Sequence, residues 1–249
     1  VQVPTNTAGS RAGQSPSHPQ GCYLTLSALD DLADALRISP LELVRKNLGI
    51  LGSLSKVYSE ELEIADRLMG WSERWHPRGE GGKGPVKRGL GLSLHAWGEG
   101  SAGGVQMAEV TVDVETGVVK VEKMVAVQDC GLIADMATME SQIYGALVIG
   151  ISSALSEEKV IDPVTGQMLN VDFESYRLAG IGDVGELVVH MMTGPGYDDR
   201  GAIGLGEPPL ISPAAAIANA VANATGVRVP FLPLTPQRVL DALEARKTA

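Results

Sequence analysis

Cysteine is scarce in this chain: Cys22 and Cys130 are the two among 249 residues, and neither stands in a CxxC or Cys/His ligand spacing. An iron-sulfur cluster or structural zinc carried by this chain alone is therefore not expected, and no metal-ligand set is assigned. Spacing leaves a disulfide between the two open. The four histidines, His18, His76, His95 and His190, show no ligand spacing either and read as surface or packing residues. Basic residues are also short, 20 Lys and Arg against 30 Asp and Glu, for a net charge of -10. Phosphate backbones and anionic lipid need clustered cations, so neither nucleic acid nor a membrane surface is the expected partner. Every apolar run is broken by Gly, Ser or charge before it reaches spanning length, so no membrane span is expected. No secretory signal precedes Thr5 and the first residue is Val1, which looks like a cut or processed end. The compartment stays open between cytoplasm and periplasm.

What is present suits an enzyme part. Apolar residues make up 44% of the chain, enough to fill one large domain or two smaller ones. Residues 1–21 are rich in Ser, Gly, Pro, Gln and Thr and read as a loop. Helical spacing covers residues 22–37, Ser39-Pro40 opens a second helix through Leu48, and residues 59–69 form a third. From Gly89 the pattern turns to strands: 89–96, then 110–114 paired with 118–121 across Glu115-Thr-Gly117, with 125–127 prolonging the second. Residues 137–155 are helical by period, 157–161 read as a strand, 162–166 as a turn and 186–192 as another strand. A helix over 212–225, with Ser212 as N-cap and Gly226 past its end, and a last helix opened by Thr235-Pro236 complete an α+β chain.

The most informative segment is Gly-Leu-Gly-Glu-Pro-Pro at 204–209, which holds one carboxylate, Glu207, in an otherwise apolar loop. Gly204 and Gly206 permit close backbone approach, and Pro208 and Pro209 stiffen the exit. A carboxylate so held is poorly solvated, which raises its proton affinity toward that of a base working near neutral pH. Read from spacing alone, the commoner use of such a loop is structural, a negative charge ahead of a helix N-terminus.

The run from Gly204 to Val221, ending in Leu-Thr-Pro-Gln-Arg-Val-Leu at 234–240, resembles the molybdopterin-binding subunit of the xanthine dehydrogenase and aldehyde oxidase family. There the glutamate of Gly-Glu-Pro-Pro is the active-site base, matched here by Glu207. Asn-Thr-Ala-Gly-Ser-Arg-Ala-Gly at 6–13 and Pro-Gln-Gly at 19–21 are similar to a second family loop, which implies cofactor contact at Ser10, Arg11, Ala12 and Gly13. A guanidinium and successive N–H groups suit an anionic pterin. Ser10 and Gly13 stand where the family has aromatics, so a planar purine is not the favoured substrate. Glu140-Ser-Gln-Ile-Tyr-Gly145 resembles a third segment and implies that Gln142 and, in the catalytic loop, Gly206 line the cofactor. Alone, Gln142 reads as a solvated or capping residue, and Asp129 as a turn carboxylate.

The resemblance implies the fold of the family's second molybdenum-cofactor-binding domain. The expected organisation is a cofactor loop and helical segment over 1–75, a Gly-rich linker with one strand over 76–107, and an α+β cofactor-binding domain over 108–249. The family's long Gly-Gln-Gly segment has no room between Arg88-Gly-Leu-Gly91 and Ala108, so about half of the cofactor cradle is missing: either partner polypeptides supply it, or the chain is a truncated or degenerate piece. The implied function is oxidative hydroxylation of an aldehyde or N-heterocycle on a molybdenum-pterin cofactor, with molybdopterin cytosine dinucleotide as one form. Implied partners are a second molybdenum-cofactor-binding chain, an iron-sulfur subunit and an FAD subunit, with a small molecule as substrate. The alternative is a non-catalytic structural or assembly subunit that keeps the fold without the chemistry.

Overall fold

Three long strands and one short one make the centre of the protein. In the computed structural model, which describes residues 13–97 and 101–248, β1 (Val86–Ala96), β2 (Gly103–Asp113), β3 (Val119–Gln128) and β4 (Glu186–Met191) form one sheet in that order. The first three are antiparallel and β4 runs parallel to β3. Along β2, Val105 and Met107 join the core on one face, while Ala108, Val110 and Val112 join that on the other. The pairing slips between Glu109 and Val110, where Glu122 is the extra residue of β3. This bulge lets Val121 and Met124 both face the same core despite their odd spacing.

Helices cover both faces. On one side α5 (Met136–Leu155) and α6 (Pro213–Thr225) enclose Ile143, Leu147, Ile151, Ile217 and Val221. On the other, α3 (Ser55–Met69) packs Tyr58, Leu62, Ala65 and Met69 with Leu41 of α2 (Pro40–Lys46) and Trp71 of α4 (Trp71–Arg74). α1 (His18–Ala35) lies against α6, and its buried Asp30 is paired with Arg78 and Arg228. α7 (Pro236–Thr248) closes the chain, with the Thr235 Oγ1 accepting from the Arg238 N–H at 3.3 Å. Among the described residues the architecture is α+β, seven α-helices on one four-stranded sheet.

α6 touches the sheet without intervening side chains. A Cβ on Gly89 would stand 2.2 Å from the Ala220 carbonyl oxygen, and one on Gly91 2.0 Å from that of Ala216. Two asparagines of α6 complete the contact. Asn223 accepts from the Leu90 N–H at 3.0 Å through Oδ1, and Asn219 donates to the Leu92 carbonyl at 3.0 Å.

Several expectations are corrected. α1 starts at His18, inside the stretch read as loop, because Pro19 suits a first helical turn. α3 begins four residues early and β1 to β3 are longer than expected; β2 runs across residues 107 and 108. The strand over 157–161 is absent: Ile161 makes a single bridge to Met168, and the Asn170 side chain takes up the Val160 N–H and the Glu158 carbonyl. Ser212 does not cap α6 with its side chain, because its hydroxyl is bound to His95. Both cysteines are free thiols. No helix among the described residues is long and apolar enough to cross a membrane.

Candidate functional site around Glu207

The loop over 201–212 is tied down along its whole length. At its start Gly131 and Ala202 form a bridge, the Leu132 N–H donates to the Gly201 carbonyl at 2.9 Å, and the Ile203 N–H donates to the Cys130 carbonyl at 3.0 Å. At its end Pro208, Pro209 and Leu210 are buried in a 3-10 turn, and Gln106 of β2 donates to the Pro209 carbonyl at 2.8 Å. Ser212 is fixed by the Nδ1 of His95 at 2.7 Å. The Nε2 of His95 meets the Gln128 side chain at 3.1 Å, and Gln128 in turn donates to the Gly103 and Asp129 carbonyls. Burial drives the His95 pKa down to about 4, against the weaker opposing pull of Gln128.

Glu207 sits in the middle, half-buried rather than dry. Its Oε2 accepts from the Ser15 N–H, and the Ser15 hydroxyl donates to the Glu207 carbonyl. The preceding carbonyl, that of Gly206, accepts from the side-chain amides of Gln14 and Gln142, the latter at 2.9 Å. Gln142 lies in the second turn of α5, whose N-cap Asp135 accepts from the Thr138 N–H at 3.3 Å. The structure thus brings Glu207, Gly206 and Gln142 together with the two residues that follow Gly13. Gly13 itself is exposed, and Ser10, Arg11 and Ala12 lie outside the described residues.

Sequence reasoning missed Ser15 and Gln14. Ser15 is fully buried with φ 54°, a left-handed conformation that ordinarily selects glycine, so nothing in its residue type marks it. Asp129 is more than a turn carboxylate: its Oδ1 accepts from the Gly131 N–H at 3.0 Å, and it is also ion-paired with Arg200. Among the described residues no group of three or more His, Cys, Asp or Glu side chains could hold a metal ion.

What the arrangement can do follows from its parts. A carboxylate oriented by a backbone donor, backed by buried prolines and still partly open to solvent, can take up and return a proton. Among the described residues, a Cβ on Gly13, Gly204 or Gly206 would meet nothing within 4 Å, which leaves space beside the backbone there.

Residues 98–185 match the family model of a molybdopterin cofactor-binding domain. Over 143 residues, 57% of this chain, the sequence is 42% identical to an aldehyde oxidoreductase of Megalodesulfovibrio gigas, 15% of which is covered. It is 29% identical over 223 residues, 87% of this chain, to one subunit of the nicotinate dehydrogenase of Pseudomonas putida, covering 18% of that protein. The chain thus spans less than a fifth of the length of these curated relatives. The solved aldehyde oxidoreductase of Desulfovibrio gigas superposes with a TM-score of 0.70 at 20% identity, over 94% of this chain and 42% of that one, which shows a shared fold. The family model and these relatives agree in what the chain is similar to, the molybdenum-cofactor-binding part of aldehyde oxidoreductases and xanthine dehydrogenases.

Proposed function

We propose that this chain is part of the molybdenum-cofactor subunit of a multi-subunit hydroxylase, and that Glu207 is the base in oxidative hydroxylation of an aldehyde or N-heterocycle. One observation carries the reading: Ser15 and Gln142, remote in sequence, both bind the Gly206-Glu207 segment. The two substrate classes are those in the names of the relatives, an aldehyde oxidoreductase and a nicotinate dehydrogenase.

The residues present suit one wall of a pterin site. Open backbone at Gly13, Gly204 and Gly206 leaves room for close approach, and the Gln142 amide offers both donor and acceptor chemistry. Ser10, Arg11 and Ala12 are assigned to the same wall, where the guanidinium would meet the anionic part of the group. The molybdenum-pterin cofactor, with the cytosine dinucleotide as one form, supplies two-electron redox chemistry when bound. Glu207 holds the proton released as the substrate carbon gains oxygen. The Ser15 N–H keeps its carboxylate plane fixed, and the buried Pro208 and Pro209 prevent the loop from retreating. The opposite wall, the iron-sulfur clusters and FAD are assigned to partner chains, in keeping with a relative named as one subunit of its enzyme.

Metal analysis of the complex purified with its partner chains, together with Glu207→Gln, tests this. Stoichiometric molybdenum in both forms, with turnover lowered at least about 100-fold in the variant, is the expected result. Absence of molybdenum with intact assembly would favour the structural-subunit alternative, and full turnover in the variant would remove Glu207 from the chemistry.

A further inference from the structure

Beside the start of the Glu207 loop lies a cluster of charged residues, two of them fully buried. Asp129, at the end of β3, is fully buried and ion-paired with Arg200. The Arg200 guanidinium also lies over the Tyr197 ring, 5.7 Å from its centroid, and the Tyr197 hydroxyl donates to Glu60 of α3. The next residue of α3, Glu61, is fully buried, and both its carboxyl oxygens lack a hydrogen-bond partner. The bridge between Gly131 and Ala202 starts two residues beyond both members of the Asp129–Arg200 pair.

We infer that Arg200 is a positioning residue for Glu207: by pairing with buried Asp129 it locks the first residues of the catalytic loop to the end of β3. The inference rests on the reading of Glu207 as the working carboxylate and deepens it. The loop leaves the sheet region through glycine at 201, with φ 69°, and has further glycines at 204 and 206, so its backbone has little stiffness of its own. Its course is set by what holds its two ends and by the contacts of Gly206 and Glu207 with Gln14, Ser15 and Gln142. Prolines and Gln106 hold the far end; at the near end the Arg200 guanidinium is ion-paired with Asp129, beside the backbone bonds of residues 201 and 203. The fit there is tight: a Cβ on Gly131 would stand 2.0 Å from the Gly201 carbonyl oxygen.

Burial, and then the nearby Asp129 charge, raise the Glu61 pKa well above the ordinary carboxylate range. That shift favours the uncharged form of Glu61, beside the single Arg200–Asp129 ion pair. A second buried negative charge would compete with Asp129 for Arg200.

Amide hydrogen exchange of the full chain, read segment by segment for wild type, Arg200→Met and Arg200→Lys, tests the inference without any cofactor. In Arg200→Met the amides of residues 131–132 and 201–206 should exchange at least about tenfold faster while those of α6 and central β2 do not change, and Arg200→Lys should lie between. In the loaded complex both variants should lower kcat with KM unchanged, Lys less than Met. Unchanged exchange at 201–206, or acceleration spread evenly over α6 and β2, would overturn it. Should Arg200→Met not fold, the Arg200→Lys comparison carries the same two outcomes. Full turnover in Glu207→Gln would sink the functional reading while leaving the exchange result standing, so the two failures are distinguishable.

Discussion

Gln142 and Gly206 stand 64 residues apart in the chain, yet the side-chain amide of one donates to the main-chain oxygen of the other at 2.9 Å. The contact joins α5 to the loop immediately ahead of Glu207. Because it is solvent-accessible, its net worth to stability is small, on the order of 1 kcal/mol. On the proposed function, its worth to positioning Glu207 is larger. Gln142→Leu should therefore leave the unfolding midpoint nearly unchanged and lower turnover of the loaded complex about tenfold. Parallel denaturation and kinetics check this, and equal loss in both would mean a purely structural role.

Two glycines make opposite predictions. Gly91→Ala places a methyl group 2.0 Å from a carbonyl oxygen of α6, and neither backbone can yield without moving the helix that follows the Glu207 loop. A loss at the upper end of about 1–3 kcal/mol is expected. Gly145, inside α5, has nothing within 4 Å of its would-be Cβ. Gly145→Ala should stabilise by about 0.5–1 kcal/mol through helix propensity. Urea titration of both variants decides the pair.

His95 makes stability depend on pH. Its folded pKa of about 4 lies below the ordinary 6.5, so between those values the unfolded chain binds a proton that the folded one refuses. The contribution is fully present above about pH 6.5 and is lost as pH falls toward 4, to a total of about 3 kcal/mol. Comparing denaturation midpoints at pH 7.5 and 5 should show a smaller acid loss in His95→Gln than in wild type. An identical loss in the two would refute the assignment.

The thiols should be inert in the folded protein. Burial pushes Cys22 and Cys130 each to a pKa of about 11, so at pH 8 almost none is thiolate. Iodoacetamide should modify neither residue until denaturant is added, and then both. Rapid labelling of either thiol in buffer, read by mass spectrometry, would contradict the burial.

The part of the candidate site that was legible lies in short runs of sequence. Gly-Leu-Gly-Glu-Pro-Pro and the alanine-rich helix after it are local signals, and α6 spans 213–225 as its period and Gly226 foretold. Contacts between distant segments left no such trace. Ser15 occupies a glycine-like conformation, and its partner lies 192 residues away. Ser212 carried an N-cap signature, but a buried histidine from another strand offered its hydroxyl a better partner. The expected strand over 157–161 had suitable residues but no neighbour to pair with, and a side-chain amide took its place. Strand lengths were underestimated because Gly103 and Gly104 look like linker; here the glycines admit Tyr58 and the His95 ring against the backbone.

The asparagines of α6 have an effect beyond packing. β1 is an outer strand of the sheet, and its Leu90 N–H and Leu92 carbonyl are groups that a foreign strand would seek. Asn223 and Asn219 are already seated on them, and the helix backbone is pressed against the intervening glycine, so these two rungs are not free. Strand addition at Leu90 and Leu92 would first require α6 to come away, so this stretch of the edge is guarded against self-association.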